Sequence, residues 1–135
     1  MALVSWDSSL SVNVEEIDGQ HQKLVGMLND LHVAMLAGEG GEVLSKILEG
    51  LLDYTVYHFG TEEKYFDLYG YPETPLHKQQ HREFVEKVID FKQRYDEGEA
   101  ALSVEVLDFL AGWVKQHIKG SDKKYGPFFN EKGLK

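Results

Sequence analysis

Cysteine is missing from all 135 residues. Disulfides, iron–sulfur clusters and thiolate zinc sites are therefore excluded together. Basic residues are short too, with 14 lysines and arginines against 23 acidic side chains and a formal charge of −9. Such a chain repels phosphate backbones and anionic headgroups, so neither nucleic acid nor a membrane surface is an expected partner. No apolar run approaches the ~20 residues that cross a bilayer, so no membrane insertion is expected. The opening "MALVSWDSSL" has neither the basic nor the apolar region of a secretion signal, and the expected location is the cytoplasm. Internal repeats and low-complexity tracts are also lacking.

What the chain does have is helical periodicity. At this length a single domain, residues 1–135, can bury a core without covalent staples. The stretch "VSWDSSLSVNVEEID" has no sustained helical period and reads as an extended N-terminal arm, residues 1–17, anchored by Trp6. From Asp18 the pattern changes. His21, Leu24, Leu28, Leu31 and Met35 recur at steps of three or four, forming one amphipathic face. "AGEGGE" ends that helix. A second helix aligns Val43, Ile47, Leu51, Tyr54, His58, Glu62 and Phe66 before "YGYPETP" breaks it. The third carries His77, His81, Phe84, Val88, Ile89 and Tyr95 and stops near Gly98. The fourth runs from Ser103, a suitable N-cap, through Val106, Leu110, Trp113 and His117 to Gly120. Four helices with short connections predict an all-α, up-down-up-down four-helix bundle over residues 18–120, with a C-terminal segment over 121–135.

Each helix places histidine on its apolar stripe: His21, His58, His77 with His81, and His117. A lone buried histidine is ordinarily a core residue bonded to a carbonyl. Five together would need a set of internal donors and acceptors that the sequence does not supply. Neutral imidazole is, in contrast, the commonest metal ligand. Carboxylates strengthen that reading. Glu62 follows His58 by four residues, so both leave one helix face a turn apart, and His77 and His81 repeat the spacing. Glu63 falls about 100° further round and reads as a solvated neighbour. Asp122 follows His117 by five residues, about 140° away on a continuous α-helix. Gly120 between them would permit a left-handed turn that swings Asp122 inward. Seven donors are too many for one octahedral ion and suit two, with the histidines divided between them if Glu62 and Asp122 bridge. Imidazole with carboxylate suits iron and leaves manganese, zinc and copper open.

"DGQHQ" at His21, "HFGTEE" from His58, "HKQQH" from His77 and "HIKGSD" from His117 together resemble the hemerythrin family, in its single-domain bacterial form. The resemblance spans essentially the whole chain. It implies a four-helix bundle holding a non-haem di-iron centre that binds dioxygen reversibly, without catalysis. It assigns His77, His81 and His117 to one iron and His21 and His58 to the other. Glu62, Asp122 and an oxo or hydroxo group would bridge the two. One iron then has six donors and the other five, leaving one position for dioxygen or for a small anion such as azide. The family pattern also implies an apolar pocket of Leu24, Phe59, Trp113 and Ile118. Plain core packing is the ordinary alternative for those four. Tyr125, after Asp122, reads equally as a neighbour of the site or as a surface residue.

Other residues read as bystanders. His32 lies about 16 Å along the helix from His21 and is not an expected ligand. Lys115, Lys119, Lys123 and Lys124 read as a solvated face near a helix C-terminus. Phe128 or Phe129 should pack across the bundle end. Storage, delivery or buffering of dioxygen is the first functional reading. A di-iron oxidase or peroxidase is the second, and a sensor of oxygen or nitric oxide the third. Oxidase-type bundles pair glutamate with histidine three residues apart in carboxylate-rich sites. Five imidazoles beside two carboxylates should stabilise oxidised iron less well, which favours reversible binding.

Overall fold

The computed structural model describes residues 4–37, 41–97 and 102–135, without the side chains of 41–44 and 102–104. A short 3₁₀ turn, Ser8–Leu10, precedes α1 (Glu15–Leu36), α2 (Gly41–Tyr69), α3 (Thr74–Asp96) and α4 (Leu102–Gln116). A π-helical turn, His117–Asp122, then leads into α5 (Lys123–Glu131). No strand occurs among the described residues.

Contacts between helices fix their directions. Glu16 and Gln20 of α1 meet Tyr65 and Thr61 of α2. Ser45, Glu63 and Asp67 of α2 meet Asp96, His81 and Lys78 of α3. Phe84 and Phe91 of α3 meet Trp113 and Phe109 of α4. In each pair one index rises as the other falls, so successive helices are antiparallel. Each of α1–α4 packs chiefly on its two neighbours around the square. The result is the expected up-down-up-down bundle.

Several local expectations shift. Helix α1 begins at Glu15, three residues before the expected Asp18, because the acidic run Glu15, Glu16, Asp18 occupies its first turn, where the helix dipole favours negative charge. Asn13 just outside holds a left-handed φ of 61°, a conformation asparagine tolerates better than most residues. Asp18 accepts bonds from Val12 N (2.8 Å) and Ser11 Oγ (2.6 Å), tying the arm to the helix it precedes. The arm is not anchored by Trp6 alone. Trp6 is half-buried, while Val4, Leu10, Val12 and Val14 are buried, and Asn29 clasps both backbone groups of Val4 at 2.9 and 2.8 Å. Ile89 is exposed, so the α3 stripe runs through Val88 and Phe91 instead. Residues 38–40, Gly98 and the side chains of Val43 and Ser103 lie outside the described residues.

The buried apolar residues form two clusters. The larger one gathers Leu24, Leu28, Leu51, Phe59, Phe84, Phe91, Leu110 and Ile118 along the bundle, with Trp113 packed on it. The smaller unites Val12, Val14 and Ile17 with Phe66, Tyr71, Tyr125 and Phe129. There α5 closes over the arm so tightly that a Cβ on Gly126 would collide with the Val12 carbonyl oxygen. Phe129 is fully buried and Phe128 half-buried, as expected of that segment.

Candidate metal centre

Seven polar side chains sit where the two clusters meet. His21, His58, Glu62, His77, His81, His117 and Asp122 are each at most 6% exposed. Burial of this kind is unfavourable unless the groups satisfy one another or a cation. His58 Nε2 lies 3.2 Å from Glu62 Oε1, the distance expected of an α-helical i,i+4 pair, and His81 Nε2 reaches the same oxygen at 3.2 Å. Asp122 faces three rings: His77 Nε2 at 2.8 Å, His117 Nε2 at 3.0 Å and His21 Nε2 at 3.1 Å.

The π turn explains how Asp122 joins. In that turn hydrogen bonds run from i to i+5, so residues five apart share a face as residues four apart do in an α-helix. The backbone therefore continues through Gly120 into α5 without a left-handed residue, and Gly120 has no positive φ. The expected stop at Gly120 is corrected on both counts. Asp122 arrives through helical winding.

The donors sort into two overlapping groups. His77, His81 and His117 gather with Glu62 and Asp122, and His21 and His58 gather with the same two carboxylates. Within each group the candidate donor atoms lie within 4.8 Å of one another. The Nε2 atoms of His21, His77, His81 and His117 face Glu62 Oε1 and the two Asp122 oxygens, and none of these atoms has a directed hydrogen bond. Buried polar atoms left unpartnered in such number fit a cation that they would share.

Charge in the metal-free protein supports the same view. Burial pushes Glu62 and Asp122 up, yet the surrounding histidines outweigh it and hold both well below the usual carboxylate range. Burial pushes His81 down, but Glu62 and Glu63 prevail and raise it to about 9. His21 is also raised, with Asp122 overcoming burial. Without metal, the nearby carboxylates favour protons on these two imidazoles. A bound cation would take their place.

Three further residues act on the donors. Gln20, 7% exposed, offers Oε1 to His58 Nδ1 at 2.6 Å. Glu63 Oε2 lies 2.9 Å from His81 Nδ1, which corrects the reading of Glu63 as a solvated neighbour. Both are acceptors, so they hold a proton on Nδ1 and turn the Nε2 lone pair inward. Tyr125 is fully buried and donates its hydroxyl to Glu62 Oε2, so the surface alternative is ruled out. Burial, then Asp122 and Glu62, push its phenol well above the usual range. The signal for Gln20 in the sequence is its place next to His21, on the face α1 turns toward α2.

Of the four expected pocket residues, Leu24, Phe59 and Ile118 are buried and Trp113 is half-buried. Phe59 stacks on His81 at 3.7 Å and 4°, and Trp113 on His117 at 4.2 Å and 14°. An open groove of about 430 Å³ between α2 and α3 has Phe59 and His81 among its lining residues, with Glu63 and Arg82 beside them. His32 belongs to neither donor group, and Lys115, Lys119, Lys123 and Lys124 are all exposed. Among the described residues no helix is long and apolar enough to cross a membrane.

The chain is similar to known proteins. The family model for the hemerythrin HHE cation binding domain matches residues 12–129. A bacteriohemerythrin of Stenotrophomonas maltophilia (strain R551-3) is 35% identical over 125 residues, covering 93% of this chain and 80% of that protein. One from Methylococcus capsulatus (Bath) is 34% identical over 128 residues, covering 94% and 97%. A crystal structure of wild-type hemerythrin superposes with a TM-score of 0.87 at 33% identity, covering 93% of this chain and 97% of that one.

Proposed function

The chain belongs to the hemerythrin family, and on that premise we propose that it binds dioxygen reversibly at a non-haem centre of two iron ions, as a store, carrier or buffer and not as an enzyme. The observation that carries the reading is that Glu62 and Asp122 each belong to both histidine groups. His77, His81 and His117 would hold one ion and His21 and His58 the other. The two carboxylates and an oxo or hydroxo group would bridge them. When bound, a ferrous pair supplies the electrons that dioxygen takes up on binding and returns on release.

The chain's own residues do the rest. Gln20 and Glu63 orient His58 and His81 through Nδ1. Tyr125 holds Glu62 Oε2 in place. Leu24, Phe59, Trp113 and Ile118 belong to the apolar side of the centre and would exclude water there. The third histidine, on the side of His77, His81 and His117, would complete that ion's donor set, so the two-histidine side would be the one to take dioxygen, or azide in its place. The proposed location is the cytoplasm.

Anaerobic optical titration of reduced, iron-loaded protein with dioxygen, followed by purging, tests the reading. A charge-transfer band that appears with dioxygen and disappears on purging is the expected result. Irreversible conversion to ferric protein with prompt peroxide release would favour an oxidase.

A further inference from the structure

Side chains of the protein hold the outer nitrogens of His58 and His81, but His77 opens on a cavity instead. Its Nε2 faces Asp122 at 2.8 Å, which turns the Nδ1 edge of the ring away from the centre. A cavity of about 30 Å³ lies against His77, walled by Gln80 and Ser121, with Glu73, Leu76 and Lys124 at its exposed rim. Gln80 follows His77 by three residues and so shares its face of α3. Its Oε1 is buried and, among the described residues, has no hydrogen-bond partner. A buried acceptor left alone is unfavourable, and leucine would fill the same position at no such cost. Ser121 arrives from the π turn of α4, one residue before Asp122, and brings a hydroxyl to the wall. Glu73 already accepts the hydroxyl of Tyr71 at 3.2 Å.

We propose that this cavity is a built water site, and that Gln80 and Ser121 are positioning residues that hold His77 through the water. The role toward the ion rests on the metal reading above. The volume suffices, since roughly 10–15 Å³ of such space takes one water. The chemistry is complementary as well. A ring whose Nε2 lone pair points inward carries its proton on Nδ1 and needs an acceptor there. Gln80 Oε1 needs a donor. One water accepts from His77 Nδ1 and donates to Gln80 Oε1, with its second hydrogen free for Ser121 Oγ. Three of the five rings would then be held from outside by three different acceptors: a carboxylate for His81, an amide for His58 and a water for His77. The water differs from the other two in reaching solvent past the exposed rim.

A high-resolution crystal structure of the metal-free protein tests the site itself. An ordered water within hydrogen-bond distance of His77 Nδ1 and Gln80 Oε1 is expected, and Gln80→Leu should remove it. A dry cavity in the wild type, or a water out of reach of His77, overturns the proposal. Zinc-loaded protein labelled with ¹⁵N-histidine tests the role. The Nδ1 proton of His77 should exchange with solvent faster than those of His58 and His81, whose acceptors are side chains. In Gln80→Leu, chelator competition should show the three-histidine ion weakened about 10-fold and the other ion unchanged. Gln80→Glu keeps an acceptor of the same reach and should recover the affinity, which a merely structural role for Gln80 would not require. If Gln80→Leu fails to fold, Ser121→Ala removes the second partner and should give the same pattern to a smaller degree. An unchanged three-histidine ion in a variant that has lost the water overturns the positioning role. A chain that binds no zinc and no iron overturns the metal reading instead, while the metal-free crystal still decides the water site.

Discussion

The two histidine groups share their carboxylates but differ in how their rings are supported. On the three-histidine side every ring has an aromatic neighbour: Phe59 on His81, Trp113 on His117, and Phe66 against His77 at 4.7 Å. His81 is also held by a charged acceptor, Glu63. On the two-histidine side the rings lean on each other at 4.6 Å, His58 alone meets another aromatic, Phe59 at 5.9 Å, and His58 is held by the neutral amide of Gln20. His21 Nδ1 has no partner. The three-histidine side has the fuller aromatic support, and the two-histidine side is the one at which dioxygen is proposed to bind.

That contrast disappears if a shared carboxylate is removed. Glu62→Ala and Asp122→Ala each delete a donor common to both groups and leave the facing imidazoles without a counter-charge. Both variants should lose both ions, and with them the stability that metal binding lends the fold. Iron per chain and thermal midpoint measure it. A variant that keeps one ion on the three-histidine side would show that the carboxylate does not bridge.

The supporting acceptors should separate the two sides. Losing such a partner typically costs 10–100-fold in metal affinity, roughly the range expected here. Gln20→Ala should weaken the two-histidine ion alone, so chelator competition should pass through a one-iron species. Glu63→Ala should weaken the other ion, less severely, because the stack with Phe59 still orients His81. Glu63→Gln should recover most of the loss by keeping an acceptor. Equal weakening of both ions by either alanine variant would remove the asymmetry.

Metal-free protein offers a pH test. His81 is raised from an ordinary value of 6.5 to about 9, so its pairing stabilises the fold fully below about pH 6.5 and is lost as pH rises through about 9. Glu62 and Asp122 are depressed, so their contribution is present above the usual carboxylate range and is lost only in strong acid. Denaturant midpoints of the metal-free protein should therefore fall between pH 6.5 and 9. The loaded protein, in which a cation replaces the proton, should show little of that decline.

How much of this was legible in the sequence depended on the winding of the backbone. His58 with Glu62, and His77 with His81, follow α-helical spacing, and the rings converge as that spacing predicts. His117 with Asp122 does not: a continuous α-helix would set them about 140° apart, and the left-handed turn at Gly120 expected to bring Asp122 inward is not made. The π turn that corrects it leaves no signature beyond a spacing of five. The supporting residues were less visible because an Nδ1 partner depends on packing between helices: Glu63 reaches His81 on α3, and Gln20 reaches His58 on α2. The helical order itself was plain, because stripes of Leu, Val and Phe repeat over many turns.

The smallest effect expected is kinetic and concerns the apolar wall. Trp113 stacks on His117, on the three-histidine side, whereas dioxygen is proposed to bind on the other. If the wall protects the whole centre, Trp113→Ala should speed autoxidation and the arrival of azide without removing iron, since no donor is lost. The ring is half-buried, so the stability cost should be about 2 kcal/mol, below the range for a fully buried tryptophan. Admission of water through the space left is the proposed cause. Phe91→Leu, about 15 Å along α3 from His81, supplies a core substitution that leaves the centre alone. Both variants belong at a temperature where each is fully folded. Faster autoxidation in Trp113→Ala than in Phe91→Leu would place the tryptophan in the barrier to water. Matching rates would confine it to packing behind His117, and the protection of bound dioxygen would then fall to Leu24, Phe59 and Ile118.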